Sequence, residues 1–574
     1  MAGKKSAQSL VSSKKLVGAP EAIGALLAQA VRLHQAGNLA EAVARYEQAL
    51  SLNPDIPEAL SNLALALKAL GRADAAIARY EQALALKPDA PEILCNLGIV
   101  LKDRGRIDEA ITCYQKALAL KPDYLAARSN FGNALRDQGQ LDEAIACYRQ
   151  ALALRHGYPQ AVSNLGSAIF DLHYSERHCS NSTLDAASLY ARHVEPANPR
   201  RDFANAADPE RRLRIGYVSA DFRNHPVGFL FSGALAAHDP AKFEVNCYSN
   251  SRVDDDMTAR LREAAHGWRL IVGLSDAETD AMIRRDEIDI LVDLAGHSAG
   301  NRLPLFALKP APVQATWLGY LDTSGLAAMD YFVTDRFVVP TEDEGSFSET
   351  VLRLPDAHLC LSVAGLDVPV AARPDTGPLT LGSFNNWAKM SDGTIALWSR
   401  VMAEIPDGRL LLKTRQLEDP VTRREAIERF AVHGIGADRL MLEEGSSRID
   451  LLAAYNRIDI ALDPFPYNGC TTTAEALWMG VPVVTLRGKR SVSRAAEGIL
   501  TVAGLPNLVA ADDAAYVRTV KALADDRKYL RALQNGLRAM MEQSPICDAP
   551  RFTQALEGLY REMWKNWCSS RLGE

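Results

Sequence analysis

Over the first quarter of the chain, apolar positions recur with helical spacing, and the whole pattern repeats every 34 residues. Glycine returns at Gly37, Gly71, Gly105 and Gly139, and tyrosine at Tyr46, Tyr80, Tyr114 and Tyr148. Alanine returns at Ala49, Ala83, Ala117 and Ala151, and proline at Pro54, Pro88 and Pro122. Each period predicts a helical hairpin. The glycine turns the chain, the alanine lets paired helices approach, the tyrosine fills the gap between repeats, and the proline stops the second helix. One hairpin cannot bury its apolar face alone, so the copies are expected to stack. His156 stands where a fourth proline would fall, and the pattern decays after a fifth first helix at about Ala161 to Phe170.

This is the tetratricopeptide signature. It predicts an α-superhelix with a long concave surface over residues 21–171, behind a Lys- and Ser-rich tail over residues 1–20 that reads as disordered. Asn62, Asn96, Asn130 and Asn164 occupy one position in the first helices of successive repeats, the helices that line the concave face. An asparagine amide both donates and accepts, so such a ladder would hold an extended polypeptide by its backbone. Repeat consensus alone also supplies asparagine there, and both readings stand.

Beyond Asp171 the helical period weakens, and residues 172–211 read as a helical linker. From Leu213 the texture changes to short β-branched runs between helical stretches: LRIGYVSAD, FEVNCYSN, IDILVDLAG, PVQATWLGY and DYFVTD. After a Pro- and Ala-rich stretch it restarts with LTLGSFNN, RLLLKTR, RLMLEEG, IDIALDPF and VPVVTLRG. Strands alternating with helices predict two tandem Rossmann-like α/β domains, residues 212–372 and 373–548, followed by a terminal helix over 549–574. Two such sheets place a ligand site in the cleft at the carboxyl ends of their strands. Neither half carries a G-x-G-x-x-G fingerprint after its first strand, and there is no P-loop.

A net charge of −7, with no basic run, argues against a nucleic-acid partner. Nine scattered cysteines, with no Cys-x-x-Cys pair and no zinc-spaced Cys/His cluster, predict a reducing cytoplasm and no metal. No apolar stretch reaches membrane-spanning length, so no membrane partner is expected. The acidic run Asp254 to Asp256 reads as a solvated turn at a helix start.

The most specific stretch is IDIALDPFPYNGCTTTAEALWMGVPVV, residues 458–484. A buried strand ends at Asp463, a loop bearing Pro and Gly follows, and a helix opens at Thr471 and Thr472. Hydroxyls, free backbone N–H groups and the helix dipole together suit a diphosphate, and Glu475, one turn inside, can reach a ribose hydroxyl. The same threonines could instead only cap the helix.

E-A-L-x-x-G-x-P-V-V after that loop resembles the nucleotide-binding element of GT-B glycosyltransferases. With tetratricopeptide repeats in front, the chain is similar to the protein O-GlcNAc transferase family from about residue 20 to 567. The resemblance implies UDP-N-acetylglucosamine as donor, a polypeptide acceptor modified on Ser or Thr, inversion at the sugar, and no metal or other cofactor. On this basis His225 in SADFRNHPVG matches the active-site histidine, and Lys389 in GSFNNWAKM matches the lysine at the donor diphosphate. Asn386 corresponds to a donor contact, as do Asn468, Gly469 and Cys470 in the glycine-bearing loop. Gly319 and Tyr320 of WLGY fall in a loop lining the sugar pocket. His297, at another strand end, is a second candidate for the cleft, and His173 falls near a further histidine of the family.

The chain departs from animal members at donor contacts. Asn386 replaces a glutamine, Ala388 a tyrosine, Cys470 a histidine and Glu475 an aspartate, and the segment EEGSSRIDLLAAY lacks the basic residues expected beside the uracil, with Arg448 as the substitute. The long insert between the two α/β domains of those members is absent, as in a bacterial version. The expected function is transfer of N-acetylglucosamine to polypeptides held in the repeat groove. The alternatives are a UDP-glucose-dependent protein N-glucosyltransferase and a nucleotide-binding scaffold with weak transferase activity.

Overall fold

The computed structural model describes residues 19–198, 201–374 and 376–572. The predicted disordered tail, residues 1–20, lies outside the described residues except for Ala19 and Pro20, which open the first helix. The chain divides into two compact units, Met1–Ala168 and Ile169–Glu574.

The first unit is a row of stacked helical hairpins, beginning with Ala19–Gln35 and Leu39–Leu52 and continuing through Leu125–Asp137 and Leu141–Leu154 to Pro159–Asp171. The repeat glycines Gly37, Gly71, Gly105 and Gly139 all have φ between +74° and +81°, the left-handed region that ends each first helix. At the second of them, Gly71 N–H donates to the Lys68 carbonyl and Arg72 N–H to the Leu67 carbonyl, each at 2.9 Å, so the turn satisfies carbonyls the helix end would leave open. Tyr46, Tyr80, Tyr114 and Tyr148 are buried. In the last two repeats their rings press against Gly98 and Gly132, helical glycines where a Cβ would collide with the ring. Asn62, Asn96, Asn130 and Asn164 all lie in first helices and are half-buried.

The second unit contains two wholly parallel sheets. The first is built from β1 (Leu213–Ser219), β2 (Phe243–Ser249), β3 (Gly267–Leu270), β4 (Ile290–Asp293), β5 (Val313–Trp317), β6 (Tyr331–Asp335) and β7 (Thr350–Leu354), in the order β3-β2-β1-β4-β5-β6-β7. The second comprises β8 (Thr380–Ser383), β9 (Arg409–Lys413), β10 (Leu440–Glu443), β11 (Ile460–Leu462), β12 (Val483–Leu486) and β13 (Val509–Ala510), in the order β10-β9-β8-β11-β12-β13. Helices joining the strands supply the apolar cover that buries the central strands on both faces.

The segment read as a linker holds a helix, Ser180–Val194. The last helix, Ala549–Leu572, returns to the first sheet. There Phe552 stacks on Trp317 with ring centres 5.8 Å apart, and the Tyr560 hydroxyl lies 3.0 Å from that of Tyr217. The terminal helix thereby locks onto the first sheet after the chain has completed the second. No described helix is long and apolar enough to cross a membrane.

Candidate functional site

The loops at the carboxyl ends of β1, β5, β8 and β11 converge on a cavity of about 1090 Å³. From the first sheet its wall takes His225, Phe229, Leu318 and Gly319, and from the second Asn386, Lys389, Arg448, Cys470, Thr471, Thr472 and Glu475. Nine of the residues singled out from the sequence therefore line one cavity.

His225 caps the helix Pro226–Ala236: its Nδ1 accepts from the Val227 N–H at 3.3 Å. A neutral ring holding that bond carries its proton on Nε2. Asp221, one turn earlier, places a carboxylate oxygen 3.6 Å from the same Nδ1. Burial lowers the His225 pKa, Asp221 opposes that shift and Arg223 adds to it, so the neutral form is favoured at pH 7.

Opposite stands the opening of the helix Thr471–Trp478. Cys470 is its N-cap, and no side chain caps it. The threonines are therefore the first helical residues and not the cap, and the end is open to an anion. Thr472 instead donates its hydroxyl to Asn385 at 3.1 Å, and Thr473 donates back to the Gly469 carbonyl at 3.1 Å.

Lys389 extends beneath this opening. Its ammonium donates to the Asn468 carbonyl at 2.7 Å and lies 4.2 Å from the centre of the Tyr467 ring. Burial lowers its pKa against the pull of Cys470 and Asp463. Asp463 orders the loop by accepting from Gly469 N–H at 2.7 Å and from the Thr485 hydroxyl at 2.6 Å, and burial pushes its carboxyl up to about 7.

Arg448 pairs with Glu475 at 2.8 Å, and its guanidinium lies over the Phe229 ring. Burial raises the pKa of Glu475 and Arg448 opposes that. Asn386 is exposed, its side-chain oxygen accepting from Gln416 and from the Ala388 N–H at 2.9 Å each.

Five predicted site residues lie behind the walls of this cavity and do not line it. Asn468 and Gly469 shape the loop, the Asn468 amide donating to the Pro464 carbonyl at 3.0 Å. Tyr320, His297 and His173 are buried, because their rings pack on one another in place of facing the cleft. His173 Nε2 lies 2.8 Å from the Tyr320 hydroxyl, and its Nδ1 accepts from Arg490 at 2.7 Å. Burial, then the charges of Arg490 and His297, hold His173 well below the usual imidazole range. His297 donates from Nε2 to the Ser324 carbonyl at 2.9 Å, and burial pushes it down to about 4.

Sequence reasoning missed Phe229, Asn385 and Tyr467. Phe229 was accessible from its place one helical turn after His225. The other two carry no signal apart from the fold.

Asp254 to Asp256 stand at a helix start: Asp255 caps the helix Asp256–Ala264, Asp254 pairs with Arg262 at 2.9 Å, and Asp256 borders the cavity. Among the described residues no group of three or more His, Cys, Asp or Glu side chains could hold a metal ion.

A family profile described as Glycosyl transferase family 41 matches residues 173–361 and 374–556. Tetratricopeptide profiles match 32–71, 55–123, 89–156 and 129–201, the last reaching past the point where the 34-residue pattern decays. A Petunia hybrida protein named probable UDP-N-acetylglucosamine–peptide N-acetylglucosaminyltransferase SPINDLY is 38% identical over 371 residues, 63% of this chain and 40% of that protein. The Arabidopsis thaliana relative named SEC, with the same probable activity, is 29% identical over 374 residues, 63% of this chain and 38% of its own length. The chain thus spans about 40% of the curated relatives it matches. A solved O-GlcNAc transferase of Thermobaculum terrenum, a lysine-to-methionine variant, is 37% identical with a TM-score of 0.73, and the match covers 90% of this chain and 98% of that one.

Proposed function

Because the chain belongs to glycosyl transferase family 41, we propose that it transfers N-acetylglucosamine from UDP-N-acetylglucosamine to Ser or Thr hydroxyls of polypeptides, inverting the anomeric centre without a metal or other cofactor. The observation that carries this reading is the pairing of Lys389 with the uncapped helix start at Thr471 on one wall of the cavity. Glycosyl transfer leaves a nucleoside diphosphate, and a cation beside open backbone N–H groups stabilises the charge that develops on it.

The acceptor hydroxyl attacks the anomeric carbon on the face opposite the diphosphate. A new C–O bond forms as the bond to phosphate breaks, the bonding pair leaves with UDP, and the hydroxyl proton passes to the departing diphosphate or to solvent. His225 stands on the opposing wall. With Nδ1 engaged by Val227, its Nε2–H donates, which suits it to positioning an oxygen of acceptor or sugar more than to removing a proton. Arg448 and Glu475 supply a planar donor and an acceptor for the nucleoside. The repeat asparagines supply backbone contacts to the acceptor.

The test incubates the pure protein, with EDTA and a peptide library, with UDP-N-acetylglucosamine, UDP-glucose or a GDP-linked sugar in separate reactions. Nucleotide release and the mass of peptide and enzyme are followed. Release with a N-acetylhexosamine mass increment from the first donor alone supports the proposal. A hexose increment on asparagine, or turnover of the GDP-sugar alone, replaces the donor. Nucleotide binding without release or modification points to a scaffold.

A further inference from the structure

The end of the helix Pro159–Asp171 and the turn after it bring two aromatic side chains to the cavity that the transferase reading leaves unused. Phe170 stands in the last turn of that helix, which also carries Asn164, and Tyr174 ends the short turn Leu172–Tyr174. Both line the cavity, as does Tyr467 from the loop after β11. The three rings form one cluster. Between centres, Phe170 lies 5.8 Å from Tyr174 and 6.3 Å from Tyr467, and Tyr174 lies 5.5 Å from Tyr467 with 30° between their planes. All three side chains are half-buried, so each keeps surface toward the cavity.

The segment that carries them is held from both α/β domains. Arg490, after β12, donates to the carbonyls of Leu172 at 2.9 Å and Ser175 at 3.1 Å, and to His173 Nδ1 at 2.7 Å. His173 Nε2 reaches the Tyr320 hydroxyl, and the Glu176 carboxylate accepts from the Gly393 N–H at 3.0 Å. A segment tied at these points has little mobility left to lose when something binds to its rings. The Lys389 ammonium lies 4.2 Å from the centre of the Tyr467 ring, which puts the cluster beside the group assigned to the donor diphosphate. Flat apolar rings favour an apolar side chain, and the neighbouring ammonium repels a cationic one. The Tyr174 and Tyr467 hydroxyls make no hydrogen bond to another described residue, so both are free to meet a peptide amide.

We propose that Phe170, Tyr174 and Tyr467 form a specificity subsite for the acceptor, which takes an apolar side chain of the polypeptide next to the modified Ser or Thr and rejects Lys or Arg there. The inference rests on the transferase reading for the identity of its occupant as the acceptor. The donor sugar is the other group on which such rings could stack. Two of the three rings, however, come from the end of the repeat array and from none of the elements assigned to the nucleotide, and Phe170 shares its helix with Asn164, the last of the asparagines assigned to the acceptor backbone. Apolar ring faces beside free phenol hydroxyls also match a peptide, which offers a side chain and a backbone amide together.

The test uses the full-length protein with saturating UDP and a set of fluorescently labelled peptides built around one serine, in which each flanking position in turn is Leu, Phe, Ala or Lys. Anisotropy gives each Kd, so the result does not depend on turnover. At a position next to the serine, Leu or Phe is expected to bind about tenfold more tightly than Lys, the scale of burying one apolar side chain. Tyr174→Ala is expected to bring the two within about twofold, and Tyr174→Phe, which keeps the ring, to preserve the difference. Tyr174→Glu is expected to turn the preference toward Lys, and it replaces Y174A as the test if that variant does not fold. A wild-type protein indifferent to the flanking residue overturns the proposal, as does an unchanged preference in folded Y174A. Loss of affinity for UDP-N-acetylglucosamine in Y174A with the peptide preference intact also overturns it, because the rings then serve the sugar. Absence of sugar transfer while the wild-type preference and its loss in Y174A are both seen leaves the peptide subsite standing and removes the transferase reading.

Discussion

Arg448 forms a 2.8 Å ion pair with Glu475 while its guanidinium lies 3.4 Å from the centre of the Phe229 ring. Phe229 belongs to the helix after β1 and Glu475 to the helix after β11, so one side chain joins the two walls of the cleft. A planar guanidinium can stack and pair at once, whereas an ammonium can only pair. Arg448→Lys is therefore expected to raise KM for the donor by about tenfold, with kcat changed far less. Steady-state kinetics with varied donor checks this, and an unaltered KM would take Arg448 out of donor binding.

Lys389 supplies the cation at the helix start. Replacing it by Ala should lower kcat by on the order of 10²–10³, the scale of losing one preorganised group that stabilises developing charge. Stability is the control, because Lys389 also ties down the Asn468 carbonyl. Near-normal turnover in a folded Lys389→Ala protein would remove Lys389 from the mechanism.

The burial of His297 makes a pH prediction. Its pKa falls from the usual 6.5 to about 4 on folding, so between those values the native ring binds fewer protons than the unfolded one. Its contribution to stability is complete above about pH 6.5 and is lost as pH falls toward 4, by an amount of order 3 kcal/mol. Urea midpoints for wild type and His297→Gln between pH 4.5 and 7.5 are expected to draw together as pH falls. A constant difference would contradict the assignment.

Gly319 follows β5 with its Cα against the backbone of Leu294, and a Cβ there would collide with the Leu294 carbonyl oxygen. The obstacle is main chain, which cannot rotate away. Gly319→Ala should cost about 2 kcal/mol or more and lower the melting temperature, since overpacking against fixed atoms forces the loop to shift. Calorimetry reads this directly.

Asn96 and Asn130 are half-buried on first helices, where their removal leaves the tyrosine and alanine packing intact. The double change Asn96→Ala and Asn130→Ala should leave the melting transition in place while raising KM for polypeptide acceptors severalfold, without affecting donor hydrolysis. Equal loss with a free small acceptor would show that the asparagines serve only the repeat fold.

The sequence by itself determined the repeat array, because a 34-residue period of Gly, Tyr, Ala and Pro prescribes both local turn and packing contact. It also determined ten of the strands, through apolar runs that parallel sheets bury on both faces. The three it did not disclose, β3, β7 and β13, are all edge strands, covered on one side by no neighbour and so under weaker demand for an apolar run. The family resemblance, together with strand-end position, marked His225 and Lys389 as cleft residues, and the loop-to-helix pattern marked the Thr471 helix start. Only the tertiary structure decided which way strand-end rings turn. Tyr320 and His173 satisfy each other and Arg490 inside the protein, and His297 bonds the Ser324 carbonyl, since a buried polar group finds a partner wherever packing allows. It also decided that Phe229 of one α/β domain meets Arg448 of the other. Periodicity records how deeply each residue is buried, but the meeting of side chains from separate domains depends on how the sheets close on each other, which no local pattern encodes.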